Sequence, residues 1–202
     1  MPSTYDPPKS RPVVVVPYQA SWVDEFHQIG TRLRKILQDE AIRIDHIGST
    51  SVPGLAAKDI IDIQITVRNL DNISEFIGRM CAEGYVYREG NQSDIYVGPE
   101  GGDKRQWRKR YFRQAEGERS IHIHVRQQGN LNQRYPILFR DYVRNNPTAR
   151  AGYDQIKRRL VEIFPESIEG YLYIKDPLMD IMFEAATVWA AHTGWELDDQ
   201  YL

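Results

Sequence analysis

The chain has a single cysteine, Cys81, among 202 residues, which excludes an intrachain disulfide and any zinc site built on cysteine pairs. It has no apolar run approaching the ~18 residues that suggest a membrane span. Its first residues, MPSTYDPPKSRP, are polar and proline-rich and lack the apolar core of a signal peptide. Charge of one sign does not dominate either. The net charge of −2 gives no global attraction to nucleic acid or anionic membrane, so any such contact must come from a local patch. Internal repeats and low-complexity tracts are missing as well. What is present, 41% hydrophobic and 27% charged residues, describes an ordinary globular protein, expected to be cytoplasmic and without a membrane partner. This length suffices for one domain with a substantial core. Cys81 falls in helical step with Phe76, Ile77 and Met80 and is expected to be buried rather than reactive.

Periodicity predicts an α+β fold. Residues 13–16 form a β-branched run between prolines and read as a strand. Ser21 reads as an N-cap ahead of Trp22, Phe26, Ile29, Leu33, Ile36 and Leu37 at helical spacing. Strands at 42–47 and 60–67 precede a helix over 70–81 that stops at Gly84. Short strands are expected at 85–88, 95–97, 106–113 and 120–126, with the GPEGGD stretch at 98–103 as a turn. The last third is helical. Phe139, Tyr142 and Val143 have core spacing and leave Arg140 and Asp141 for polar contacts that brace the helix. One helix opens at 146–147 with Tyr153, Ile156, Leu160 and Ile163 inward, and another opens at 176–177. The organisation predicted is a loose tail over 1–11, one domain over 12–192 and a second tail over 193–202. Within the domain, the core runs over 12–130 and the helical part over 131–192.

The most informative stretch is 42–67, IRIDHIGSTSVPGLAAKDIIDIQITV. It reads as a strand, a Gly-Ser-Thr-Ser turn, a brief helical segment and a second strand. Gly48 has no side chain to keep backbone away from a phosphate, and Ser49 and Thr50 follow it. Either the N–H groups of this turn hold phosphate, or Thr50 or Ser51 merely caps the short helix before Pro53 and Gly54. Asp62 stands alone between Ile61 and Ile63. Burying an unpaired carboxylate is expensive, so Asp62 calls for a cation or hydrogen-bond donors. Asp59, three residues earlier, falls on the opposite face and is expected to meet solvent or Lys58.

Two histidines, His122 and His124, alternate with Ile121, Ile123 and Val125 and therefore share one strand face. That spacing suits either chelation of one metal or a half-buried pair bonded to backbone, Tyr or Asp. His46 could line the same pocket, whereas His27 faces outward from a helix. The segment 104–113, KRQWRKRYFR, has six basic residues in ten and no acid, with Trp107, Tyr111 and Phe112 interleaved. Such a run is a solvated face, a site for a triphosphate or anionic acceptor, or a nucleic-acid contact. In a regular strand Arg108 and Arg110 share a face and Lys109 takes the other.

HIGSTSVPGLAAKDIIDI resembles the signature of the GrpB family (UPF0157-type) of the nucleotidyltransferase superfamily. So do FRQAEGERSIHIHV at 112–125, LFRDYVRNNPTARAGYDQIKRRL at 138–160 and YIKDPLMDIMFEAA at 173–186, in the family's order from 13 to 191. The resemblance implies a nucleotidyltransferase-like mixed β-sheet with flanking helices and a C-terminal helical segment. It implies transfer of a nucleotidyl group from an NTP to an unknown acceptor, with Mg2+ or another divalent metal. Gly48, Ser49, Thr50 and Lys58 would then bind phosphate, helped by Arg108 and Arg110, while Asp62, His122 and His124 would hold the metal and carry the chemistry. Arg110, Arg113, Lys157 and Lys175 also match family positions. The superfamily pairs two acids at i and i+2, which face the same way; here the second position is Gln64, a neutral amide. Two other readings stand beside transfer: a nucleotide- or anion-binding module without turnover, and a metal-dependent hydrolase using Asp62, His122, His124 and His46. Nucleic acid is not the favoured partner.

Overall fold

The computed structural model describes residues 8–95, 103–197 and 202. Most of the turn expected at 98–103, the end of the strand expected at 95–97, and the tail residues 1–7 and 198–201 lie outside the described residues.

Alternating sequences build a five-stranded sheet in the order β1-β2-β5-β4-β3. The strands are β1 (Arg43–Ile47), β2 (Ile61–Val67), β3 (Val86–Tyr87), β4 (Lys109–Arg113) and β5 (Ile121–Gln127). β2 and β5 pair in parallel and the other neighbours antiparallel, so the sheet is mixed and the fold α+β. One face is apolar. Ile61, Ile63, Ile65 and Val67 of β2, with Ile121, Ile123 and Val125 of β5, pack against α1 (Ser21–Leu37) and α2 (Ser74–Ala82). The helices contribute Trp22, Phe26, Leu33, Leu37, Phe76 and Met80. Each large side chain buried there is worth about 1.5–3 kcal/mol. A one-residue slip would exchange the Ile rows with the Asp62 and His122 rows, so packing fixes the register.

The opposite face is polar and meets α3 (Leu131–Asn145), α4 (Pro147–Ile163) and α5 (Ile168–Thr193). Arg140 braces α3 as expected, donating to the His46 carbonyl at 3.1 Å and pairing with Asp141 at 2.7 Å. Phe139 and Val143 of α3 and Tyr153 of α4 close over Val52 and Leu55, just beyond the Gly-Ser turn. An N-terminal strap ties the two halves together. Ser10 N–H donates to Glu166 and Val13 N–H to Pro165, each at 2.9 Å, and Val16 bridges Ala57.

Several local expectations differ from the structure. Residues 13–16 make that one bridge rather than a strand, because the flanking prolines supply no donor. Ser21 is the first residue of α1 rather than its cap, and α2 begins at Ser74 rather than at 70. Cys81 is exposed: α2 buries only the Phe76–Met80 stripe, and residue 81 is turned about 100° from Met80. Ile163 is 65% exposed at the end of α4. No helix starts at 176–177. α5 starts at Ile168, where the Ser167 hydroxyl accepts from Gly170 N–H at 3.0 Å, and it carries Pro177 in its interior. The amide missing at Pro177 is the one that would pair with the Tyr173 carbonyl, on an exposed turn of the helix.

Candidate functional site

Register and alternation assemble the site. The parallel β2–β5 pairing sets Asp62 opposite His122 and Gln64 opposite His124. The antiparallel β4–β5 pairing sets Arg113 opposite His122 and Tyr111 opposite His124. All six side chains rise from the polar face. Asp62 Oδ1 lies 3.1 Å from His122 Nδ1, and one donor atom from each of Asp62, His122 and His124 lies within 4.8 Å of the others. The Tyr111 ring fixes both imidazoles by edge and tilted contacts, with centroids 5.6 Å from His122 and 5.1 Å from His124. Burial pushes the Asp62 carboxyl up, but the His122 hydrogen bond and the positive charge around it, Lys58 included, outweigh it, so the group stays below its ordinary value. Burial holds His124 neutral, reinforced by Arg126 and Lys109.

The Gly-Ser turn follows β1 and leans on Asp62. Gly48 has φ +71°, and a Cβ there would come within 2.9 Å of Asp62 Cβ and Cγ and closer still to Oδ2. Residues Ser49–Ser51 form one short helical turn whose own bonds run from Ser51 N–H to Gly48 and from Val52 N–H to Ser49. The amides of Ser49 and Thr50 stand ahead of that ladder, as the first amides of a helical turn do.

Deeper on the same face lies a buried ionic knot. Asp94 accepts from Lys109 at 2.7 Å, from Arg126 at 2.9 and 3.0 Å and from Asn132 at 2.9 Å. Burial would raise its pKa, but the Arg126 and Lys109 charges hold the carboxyl far below the usual range. Arg126 also donates to Gln64 Oε1 at 2.8 Å, and Gln64 Nε2 donates to the Gln133 carbonyl at 2.9 Å. Both ends of Gln64 are therefore committed to the scaffold.

Between this face and the helices opens a cleft of about 700 Å³. Besides Lys109 of β4, held by Asp94, three lysines reach it from other segments: Lys58 from the loop before β2, Lys157 from α4 and Lys175 from α5. Among the described residues no carboxylate lies at ion-pair distance from Lys58, whose ammonium stands 5.8 Å from the Tyr171 ring centre. Burial lowers the Lys58 pKa, with Asp62 opposing. Lys157 is 1% exposed, donates to the Ala56 carbonyl, lies 4.7 Å from the Tyr153 ring centre, and is pushed down by burial to about 7. Lys175 would also be lowered by burial, but Tyr153 and Asp176 more than offset it. Tyr135 and Phe139 add aromatic wall, and Arg113 points in beside His122 with its Nε buried and without a partner among the described residues.

The structure brings together Asp62, His122, His124, Gly48, Ser49 and Lys58. Thr50 lines the cleft too, but its hydroxyl is turned to the Ile60 carbonyl and His46 Nε2, both at 3.1 Å. Arg108 and Arg110 do not line it. Arg108 precedes β4 and pairs with Asp71 at 3.0 Å on the surface. Arg110 shares the apolar-side direction of Phe112 and donates to the Lys109 and Leu70 carbonyls. His46 also faces the other side, stacked on Phe26 at 4.8 Å and pushed down by burial to about 3. Asp59 is exposed, as expected, and does not pair with Lys58; it accepts from Trp22 at 2.7 Å and Arg119 at 2.6 Å. Lys157 and Lys175, which the resemblance matches to family positions, and Tyr153, expected inward, line the cleft; Tyr171 escapes the sequence reading, since helix positions carry no mark that separates a cleft wall from a solvated face.

One carboxylate and two imidazoles fit a divalent cation. The mixture suits a borderline ion such as Zn2+, or Mn2+ that accepts imidazole beside oxygen, better than Mg2+, which keeps to oxygen. Arg126 donates to His124 Nδ1 over a long 3.4 Å. Ligation through the other ring nitrogen requires Nδ1 to carry a proton, so that contact must open.

The model of the family described as "GrpB protein" matches residues 12–185. The solved structure of conserved protein GrpB from Enterococcus faecalis overlies 87% of this chain and 99% of that one, with TM-score 0.72 and 31% identity. A dephospho-CoA kinase of Mycolicibacterium paratuberculosis is 34% identical over 198 residues, 92% of this chain and 48% of that protein. UPF0157 protein YqkA of Bacillus subtilis is 35% identical over 179 residues, 89% of this chain and 48% of that protein. The chain thus spans about half the length of these two curated relatives. Among the described residues no helix is long and apolar enough to cross a membrane.

Proposed function

The chain belongs to the GrpB family, and from that premise we propose that it is a nucleotidyltransferase that takes an NTP and a divalent cation into the cleft. The observation that carries the reading is the meeting of Asp62, His122 and His124 with the Gly48–Ser49 turn, Lys58, Lys157 and Lys175 around one hollow. Transfer of a nucleotidyl group asks little covalent chemistry of a protein; it asks for positioning and for neutralisation of phosphate charge. The amides of Ser49 and Thr50 bind a phosphate oxygen, while Lys58, Lys157 and Lys175 take the polyphosphate charge. Asp62, His122 and His124 hold the cation, which when bound polarises the phosphate under attack. Arg108 and Arg110, turned elsewhere, play no part.

Calorimetric titration of an NTP with Mn2+ into wild type and Asp62→Ala tests this. Binding in the wild type and its loss in the variant are expected; equal binding defeats the reading.

Gln64 favours a second reading, a binding module without turnover. Its amide occupies the place of a second acid and is held at both ends by Arg126 and Gln133. That version retains nucleotide unchanged, so release of pyrophosphate on incubation removes it. A hydrolase relying on His46 is disfavoured, because that ring lies on the opposite face of the sheet.

A further inference from the structure

A second, smaller cavity of about 210 Å³ adjoins the cleft; Arg11, Lys58, Ile60, His122 and Ile168 line both. Pro12, Val14 and Asp59 line the smaller one alone. Resting on the transferase reading above, we propose that this cavity is the acceptor subsite and takes a compact anion, a phosphate monoester or carboxylate on a short aliphatic frame.

The volume argues for a small acceptor. Ligand pockets for drug-sized molecules run from about 300 Å³ upward, and a nucleotide already requires the larger cleft. The lining argues for negative charge. Arg11 and Lys58 both face the cavity, and among the described residues neither is paired with a carboxylate. Asp59 is the acid in the wall, and its carboxylate is spent on Trp22 and Arg119. Glu169, near the strap, accepts from Ser10.

The strap also fixes where Arg11 stands. Ser10 and Val13, on either side of it, are anchored by backbone hydrogen bonds to Glu166 and Pro165. Pro12, Val14 and Ile168 supply the apolar surface for a short carbon frame. The shared wall explains why there are two cavities. In-line displacement brings the acceptor to the phosphorus from the side opposite the leaving group, so two substrates must meet at one boundary. Arg11, Lys58, Ile60, His122 and Ile168 form that boundary.

The test titrates inorganic phosphate, and in parallel acetate, into protein saturated with Mn2+ and a non-hydrolysable NTP analogue. The expected result is one anion bound per chain in addition to the nucleotide. Arg11→Ala should weaken it about tenfold or more, the order expected for losing a charged hydrogen bond, and Arg11→Lys should recover part of the loss. Because Arg11 also borders the cleft, nucleotide affinity should fall by less than anion affinity in both variants. Phosphate alone or acetate alone identifies the anion class. Binding of neither, competition with the nucleotide for one site, or equal affinity in Arg11→Ala overturns the subsite. The two proposals fail separately: a protein that binds no nucleotide defeats the transferase reading, whereas loss of Arg11 dependence with nucleotide still bound defeats only the subsite.

Discussion

Gly48 lies against Asp62 so closely that a Cβ at position 48 would stand 2.9 Å from the carboxylate carbon. The phosphate turn and the metal-ligating acid are thereby set in one piece. Gly48 also has φ +71° and ψ −174°, a combination that side chains rarely tolerate. Gly48→Ala therefore combines backbone strain of about 1–3 kcal/mol with displacement of Asp62. Urea unfolding should show that loss, and calorimetry should show Mn2+ affinity falling with it. Gly54→Ala is the control, with φ +78° and nothing within 4 Å of the added Cβ; it should cost stability but leave metal binding intact.

Much of this arrangement is legible in the alternation of 61–67 and 121–127, because only one face of each strand is apolar and the period of two leaves no choice. The partnership of Asp62 with His122 is not legible. It depends on β5 inserting beside β2, while the β3 and β4 segments between them in sequence go to the sheet's edge. Arg108 and Arg110 show the same limit from the other side. Alternation says that they face alike, but only the burial of Phe112 shows that their face is the apolar one. Lys157 and Lys175 sit on helices whose other residues face both core and solvent, so their direction is set by how α4 and α5 dock and not by their own neighbours.

Lys157 is a test of function stored at the expense of stability. Burial holds its ammonium from an ordinary 10.5 down to about 7, which corresponds to at most about 5 kcal/mol of folding free energy. The unfolded chain binds the proton more tightly than the folded one, so the penalty is full below pH 7. It shrinks as pH rises from 7 and vanishes near 10.5. Lys157→Met should accordingly stabilise the protein by about 1–3 kcal/mol at pH 7 after losing the bond to Ala56, with a smaller gain at pH 9. Nucleotide binding should weaken in the same variant. Denaturant unfolding at the two pH values and a nucleotide titration check both halves.

His46 titrates on the apolar side, where burial pushes it from 6.5 to about 3. Below pH 6.5 the unfolded chain takes up a proton that the folded ring refuses, so stability falls as pH drops from about 6.5 toward 3. Its share of the slope approaches about 1.4 kcal/mol per pH unit. His46→Phe keeps the stacking on Phe26 and leaves the Thr50 hydroxyl its bond to Ile60. The variant should lose stability less steeply than wild type between pH 6 and 4, measured by urea midpoints. Identical slopes would show that the ring does not resist protonation.

Asp94 holds together groups that otherwise repel. Lys109 and Arg126 both lie almost fully out of water and both donate to this one carboxylate. Asp94→Asn removes the negative charge and leaves two buried cations adjacent, a change of the kind that costs about 3–5 kcal/mol. Arg126 also carries Gln64 and touches His124, so its release should loosen the histidine as well as the fold. A double variant separates the effects. Adding Lys109→Met to Asp94→Asn removes one of the two stranded charges and should restore a large part of the stability, because neighbours in one ionic network are not additive. Mn2+ affinity should recover with it if the knot acts on the site by holding Arg126. Full additivity of the two substitutions in urea unfolding would mean that Asp94 does not balance Lys109, and the account of the knot would fail.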